Sequence, residues 1–132
     1  MTSTVGKFLL DTNIVIALFG DDRKVKNRLS KVAQVFIPAI VLGELYFGAQ
    51  KSQQADRNIS RIRELAASVN VLSCNAITAI HYGSVKNYLK QKGRPIPEND
   101  IWIAATALQH GLVLVSRDYH FIDIEGLKVD TW

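Results

Sequence analysis

The sequence predicts an α/β protein in which a short parallel sheet carries helices on both faces. Two observations lead there. Short apolar runs alternate along the chain with segments of helical periodicity, and the strongest of those runs are apolar throughout. Strands of that kind are buried on both faces, so they need helical covers.

Lys7-Phe8-Leu9-Leu10 is the first strand, ending at Asp11. Ile14 to Phe19 is a brief apolar helix closed by Gly20. Asp21-Asp22 start the next helix, where Val25, Leu29 and Val32 repeat at helical spacing and Lys24, Arg28 and Lys31 hold another face. Val35-Phe36-Ile37 is a second strand, stopped by Pro38. Ala39 to Ala49 is helical in pattern. Residues 55–68 follow, with Ile59, Ile62, Leu65 and Ala66 inward and Arg57, Arg61 and Glu64 outward. Val69 to Leu72 is a third strand. Asn75 caps a helix reaching Gln91, with Ile77, Ile80, Ser84 and Tyr88 on one stripe. Residues 92–97 form a loop punctuated by one glycine and two prolines. Asn99 caps a helix running through His110, and Gly111 ends it. Leu112 to Val115 is a fourth strand, and Val129 to Trp132 a last, edge strand. No repeat, low-complexity tract or linker interrupts this order, so residues 1–132 read as one domain.

A chain of 132 residues is long enough to bury a core, and 48% hydrophobic with 21% charged residues is a globular composition. No apolar run reaches the ~18–20 residues of a membrane span. The polar start, Met1 to Lys7, lacks the pattern of a secretory signal. The lone Cys74 has no internal partner, which fits a reducing cytoplasm. The net charge of +4 comes from sixteen basic and twelve acidic residues. With four acids drawn into one pocket, eight remain against sixteen basic residues elsewhere. A basic body around one acidic hole suits a phosphate chain.

Four acids stand out of place. Glu44 has Ile40, Val41, Phe47 and Gly48 as its helical neighbours, none of them charged. Asp100 faces Ile103, Ala104 and Ala107, at a helix start where the dipole favours an anion. Asp11 ends the first strand, and Asp118 lies three residues past the fourth. Each reads singly as a cap or loop residue. Together they converge on the carboxyl edge of one sheet, where ligands bind in such folds. Several buried carboxylates repel one another, and no lysine or arginine shares the inward face of either helix. A divalent cation compensates them most simply. An all-oxygen donor set points to Mg2+ or Mn2+ rather than zinc or copper. Such ions suit in-line hydrolysis of a phosphodiester.

At this point the chain resembles the PIN-domain ribonucleases, and among them the VapC-type toxins of bacterial toxin–antitoxin pairs. The carrying segments are Leu9 to Asn13, Val41 to Leu45 around Glu44, Asn99-Asp100 leading into Ile103 to Ala107, and Val115 to Asp118 followed by Phe121. The resemblance implies a PIN fold, Mg2+-dependent endoribonuclease activity, a small cognate antitoxin and a homodimer. It further implies Asp11 and Asp100 as main metal ligands, Glu44 ligating or positioning water, Asp118 completing the acidic set, and Thr12 and Ser116 as supporting hydroxyls.

Other residues read more plainly. The three histidines lack evident partners, and Trp102 points away from Asp100, toward the opposite layer or a subunit contact. Lys90, Lys92, Arg94 and Arg117 are candidates for phosphate contacts at the acidic rim. The helical pair 55–68 and 75–91 is a candidate partner surface. Two other functions compete: a catalytically silent PIN module that binds RNA or a protein, and a Mg2+ phosphotransfer protein with Asp11 as nucleophile. Asp11-Thr12-Asn13 lacks the second aspartate that the latter chemistry uses in haloacid-dehalogenase phosphatases.

Overall fold

A computed structural model of the chain describes residues 6–132; the reading of Met1–Val5 as a polar, signal-free start lies outside them. Five parallel strands form one sheet in the order β3-β2-β1-β4-β5: β1 Lys7–Leu10, β2 Gln34–Pro38, β3 Asn70–Leu72, β4 Val113–Val115 and β5 Val129–Asp130. Phe8 pairs with Val35 on one side and Val113 on the other, so β1 is central. Its Leu9 and Leu10 are buried, as are Leu114 and Val115 beside them. That double-sided burial is why these strands are continuous apolar runs.

The helices are α1 Thr12–Phe19, α2 Arg23–Leu29, α3 Ala39–Gln50, α4 Ala55–Ser68, α5 Ala76–Gln91 and α6 Glu98–His110. From β1 the chain steps to β2 and then β3, and afterwards returns to the far side of β1 as β4. Right-handed crossovers therefore set α1 to α4 on one face and α5 and α6 on the other. The reversal leaves a crevice at the carboxyl ends of β1 and β4, the switch point where such sheets bind ligands.

Local chemistry fixes most boundaries. Asp22 caps α2, accepting from the Lys24 and Val25 amides at 2.9 and 3.2 Å. Asn75 and Thr78 form a capping box at α5. Gly111 ends α6 at φ +63°, a left-handed position that glycine takes without a Cβ penalty.

Several expectations need correction. The α2 spacing stops at Leu29, and Val32 packs on the core from the following turn. Asn99 does not cap α6: Pro97 holds that position, its carbonyl accepting from Ile101 N at 3.2 Å. Of the α5 stripe, Ile77 and Ile80 are 52% and 65% exposed, and the buried residues of the helix are Thr78, Val85 and Leu89. Arg61 is not outward; it donates to the Phe19 carbonyl at 2.8 Å and lies over the Phe19 ring. In the fold α4 packs on α3 and α5 on α6. Periodicity identifies a face without saying what covers it.

Candidate active site

Asp11 leaves β1 as the N-cap of α1 and is 3% exposed. Its carboxylate is satisfied by hydrogen bonds: Oδ1 accepts from Thr12 N at 2.8 Å, and Oδ2 accepts from Ser116 Oγ at 2.7 Å and Asn13 Nδ2 at 3.3 Å. Burial still pushes its pKa upward, with Asp100 and Glu44 adding to the rise. Ser116, just past β4, ties the two strand ends together, because its Oγ also accepts from Asp118 N at 3.0 Å. Asn13 spans the same junction, accepting from Arg117 N at 3.2 Å.

Asp100 stands in the first turn of α6 and is 13% exposed at its side chain. Burial is the main cause of its raised pKa, while Asp118 and Glu44 add like charge. The starts of α1 and α6 thus both bring partial positive charge to this edge. Glu44, on α3, accepts from Thr12 Oγ1 at 2.7 Å, which fixes the carboxylate toward the others. Its helical neighbours differ in burial: Val41 is buried, Ile40 partly so, and Phe47 is 63% exposed. Glu44 itself borders a largely apolar groove of about 270 Å³ whose lining includes Ile16, Phe19, Leu45, Ala49, Arg61 and Ile62.

The tightest grouping contains an unexpected member. Asp100, Asp118 and His120 offer ligand atoms all within 4.8 Å of one another. His120 Nδ1 lies 2.8 Å from Asp100 Oδ2 and 3.5 Å from Asp118 Oδ1. The Asp100 contact, opposed by modest desolvation, holds its pKa above the ordinary histidine value. The expectation that no histidine has a partner is therefore wrong for His120. The 3-10 turn Tyr119–Phe121, anchored by the buried Phe121, carries the ring back to α6. The only sequence signal was the Asp-x-His spacing at 118 and 120, which does not reveal a residue twenty positions upstream. Asn13 was similarly missed as a site residue, although it lies in the Asp11-Thr12-Asn13 segment.

All four acids therefore meet at one edge, Asp100 and Asp118 in the tight group and Asp11 and Glu44 coupled to it through Asp100. Among the described residues no lysine or arginine forms an ion pair with any of them. Clustered carboxylate donors without a lysine or arginine partner fit a hard divalent cation. The proposed phosphate contacts fare differently. Arg117 is a structural clasp, donating through Nε to the Trp132 carbonyl at 2.8 Å and through Nη2 to Asp22 at 2.9 Å. Arg94 pairs with Asp123, and Lys92 lies over Tyr88. Trp102 stacks on Tyr82 of α5 at 4.0 Å.

A family model for the PIN domain matches residues 8–127. The chain is 37% identical over 131 residues to ribonuclease VapC2 of Haemophilus influenzae, covering 96% of this chain and 98% of that one. It is 33% identical over 135 residues to the tRNA(fMet)-specific endonuclease VapC of Shigella flexneri, with coverage of 96% and 98%. Among solved structures, VapBC-1 of nontypeable Haemophilus influenzae superposes with a TM-score of 0.88 at 37% identity, covering 96% and 98% of the two chains. VapBC2 of Rickettsia felis, bound to a DNA fragment from its promoter, gives 0.89 at 29% identity over the same shares.

Proposed function

The chain belongs to the PIN domain family, and from that premise we propose that it is a Mg2+-dependent endoribonuclease, the toxin of a toxin–antitoxin pair. The supporting observation is the convergence of Asp11, Glu44, Asp100 and Asp118 at the β1/β4 switch point, with no lysine or arginine among the described residues ion-paired to them. Asp11 and Asp100 are the main ligands of Mg2+, for which Mn2+ substitutes. Glu44 ligates or orients water, and Asp118 completes the set. When bound, the ion activates water and neutralises charge on the scissile phosphodiester.

The chain's own residues prepare the site. The Ser116 hydroxyl holds Asp11 through Oδ2. The Thr12 hydroxyl holds Glu44 through Oε1. Both lock carboxylates that would otherwise rotate, at positions where misplacement by ~1 Å weakens catalysis strongly. The partner is a small cognate antitoxin, in keeping with the toxin–antitoxin complexes among the structural relatives. The open apolar groove beside Glu44 suits an apolar side chain of such a partner. Action as a homodimer in the cytoplasm completes the proposal. No helix among the described residues is long and apolar enough to cross a membrane.

RNA cleavage with and without Mg2+ or Mn2+ tests this, comparing wild type with Asp11→Asn and Asp100→Asn. Cleavage is expected only in the wild type with metal. Equal activity in all three proteins would sink the mechanism. RNA binding without cleavage in every form would favour the silent-module reading.

A further inference from the structure

His120 is the one polar side chain in the tight acidic group that the carboxylate reading leaves without a role. We propose that His120 is a further ligand of the metal centre, its Nδ1 joining Asp100 and Asp118 and biasing the site from Mg2+ toward first-row transition ions. This rests on the metal-dependent reading above and adds a specificity-determining residue to it.

The geometry supports it. In an octahedral shell with metal–ligand distances of roughly 2.1 Å, adjacent ligand atoms lie about 3 Å apart. His120 Nδ1 stands 2.8 Å from Asp100 Oδ2 and 3.5 Å from Asp118 Oδ1, the spacing of neighbours on one ion. The ring is also held in place. Phe121, the next residue, is fully buried, and Asp118 is pinned by its amide to Ser116 Oγ at 3.0 Å. The same Nδ1 is the hydrogen-bond partner of Asp100 Oδ2. Imidazole nitrogen is a poor donor for Mg2+ and a good one for transition ions. A site of carboxylates alone would favour hard cations.

Two measurements on the intact protein test this without relying on activity. Electron spin-echo spectroscopy of the Mn2+-loaded protein should show coupling to a directly bound nitrogen, and His120→Gln should abolish it. Calorimetric titration with Co2+ and Mg2+ should show His120→Gln losing about 10–100-fold in Co2+ affinity, against less than about threefold for Mg2+. The ring is 43% exposed, so the variant should fold, which circular dichroism verifies. Bound Mn2+ with no nitrogen coupling in the wild type would overturn the proposal and leave the carboxylate centre standing. Equal losses for Co2+ and Mg2+ would overturn it as well, reducing His120 to a hydrogen-bond partner of Asp100. Failure of the wild type to bind any of these ions would instead bring down the metal-dependent reading itself.

Discussion

Replacing Ser116 by alanine removes one hydroxyl that serves three partners. Ser116 Oγ donates to Asp11 Oδ2 at 2.7 Å, and accepts from Asp118 N at 3.0 Å and Asn13 Nδ2 at 3.4 Å. The first bond goes to a buried carboxylate and is worth about 1.5–3 kcal/mol, and the Asp118 amide adds roughly 1 kcal/mol. Ser116→Ala should therefore cost about 2–4 kcal/mol at neutral pH, or about 10 °C in melting temperature for a chain of this size. The cost depends on pH. The Ser116 hydrogen bond favours the ionised carboxylate and opposes the upward push of burial, so its loss raises the Asp11 pKa further. A group whose folded pKa exceeds its unfolded value gives stability that is complete below the unfolded value and lost as pH rises through the folded one. The penalty is therefore largest at pH 7.5 and shrinks as pH falls through the raised Asp11 pKa. Urea denaturation of wild type and variant with chelator present, in steps from pH 7.5 to 4.5, measures it. A loss independent of pH, or below about 1 kcal/mol throughout, would refute this account of how Asp11 is held.

The remaining predictions follow from the same geometry. His120 has a folded-state pKa raised above its ordinary 6.5, so the protein with chelator present should melt higher at pH 6 than at pH 8, and saturating Mg2+ should narrow that gap; a higher melting temperature at pH 8 with chelator would contradict it. Glu44→Gln keeps an acceptor for the Thr12 hydroxyl but removes a charge, so it should fold normally yet relieve growth arrest on induction, read from growth curves and a thermal melt. Phe121→Ala empties a fully buried site and should cost about 3–5 kcal/mol in urea denaturation. Gly111→Ala meets no atom within 4 Å, so only its φ of +63° opposes it, and denaturation should show a loss of about 1 kcal/mol.

Much of this molecule was legible in the chain, because much of it is local. Helix ends follow from caps such as Asp22 and Asn75 and from the stop at Gly111, each acting within a few residues. Strand burial follows from the uninterrupted apolar runs of β1 and β4. The four acids were conspicuous because each breaks a pattern that neighbouring residues set. Tertiary structure decided their arrangement. Asp118 stands in the tight group with Asp100, whereas Asp11 is held one hydrogen-bond network away. Glu44 borders an open groove, and of its helical neighbours Val41 is buried while Phe47 is exposed. Arg117 reads as a free rim cation until Trp132 and Asp22, fifteen and ninety-five positions away, are folded against it. His120 is silent until the turn after β4 brings it onto the start of α6. Periodicity and capping report which side of an element is apolar and where it ends. Which elements then meet depends on the reversal of strand order at β1, a choice made by packing the whole chain and by no local segment of it.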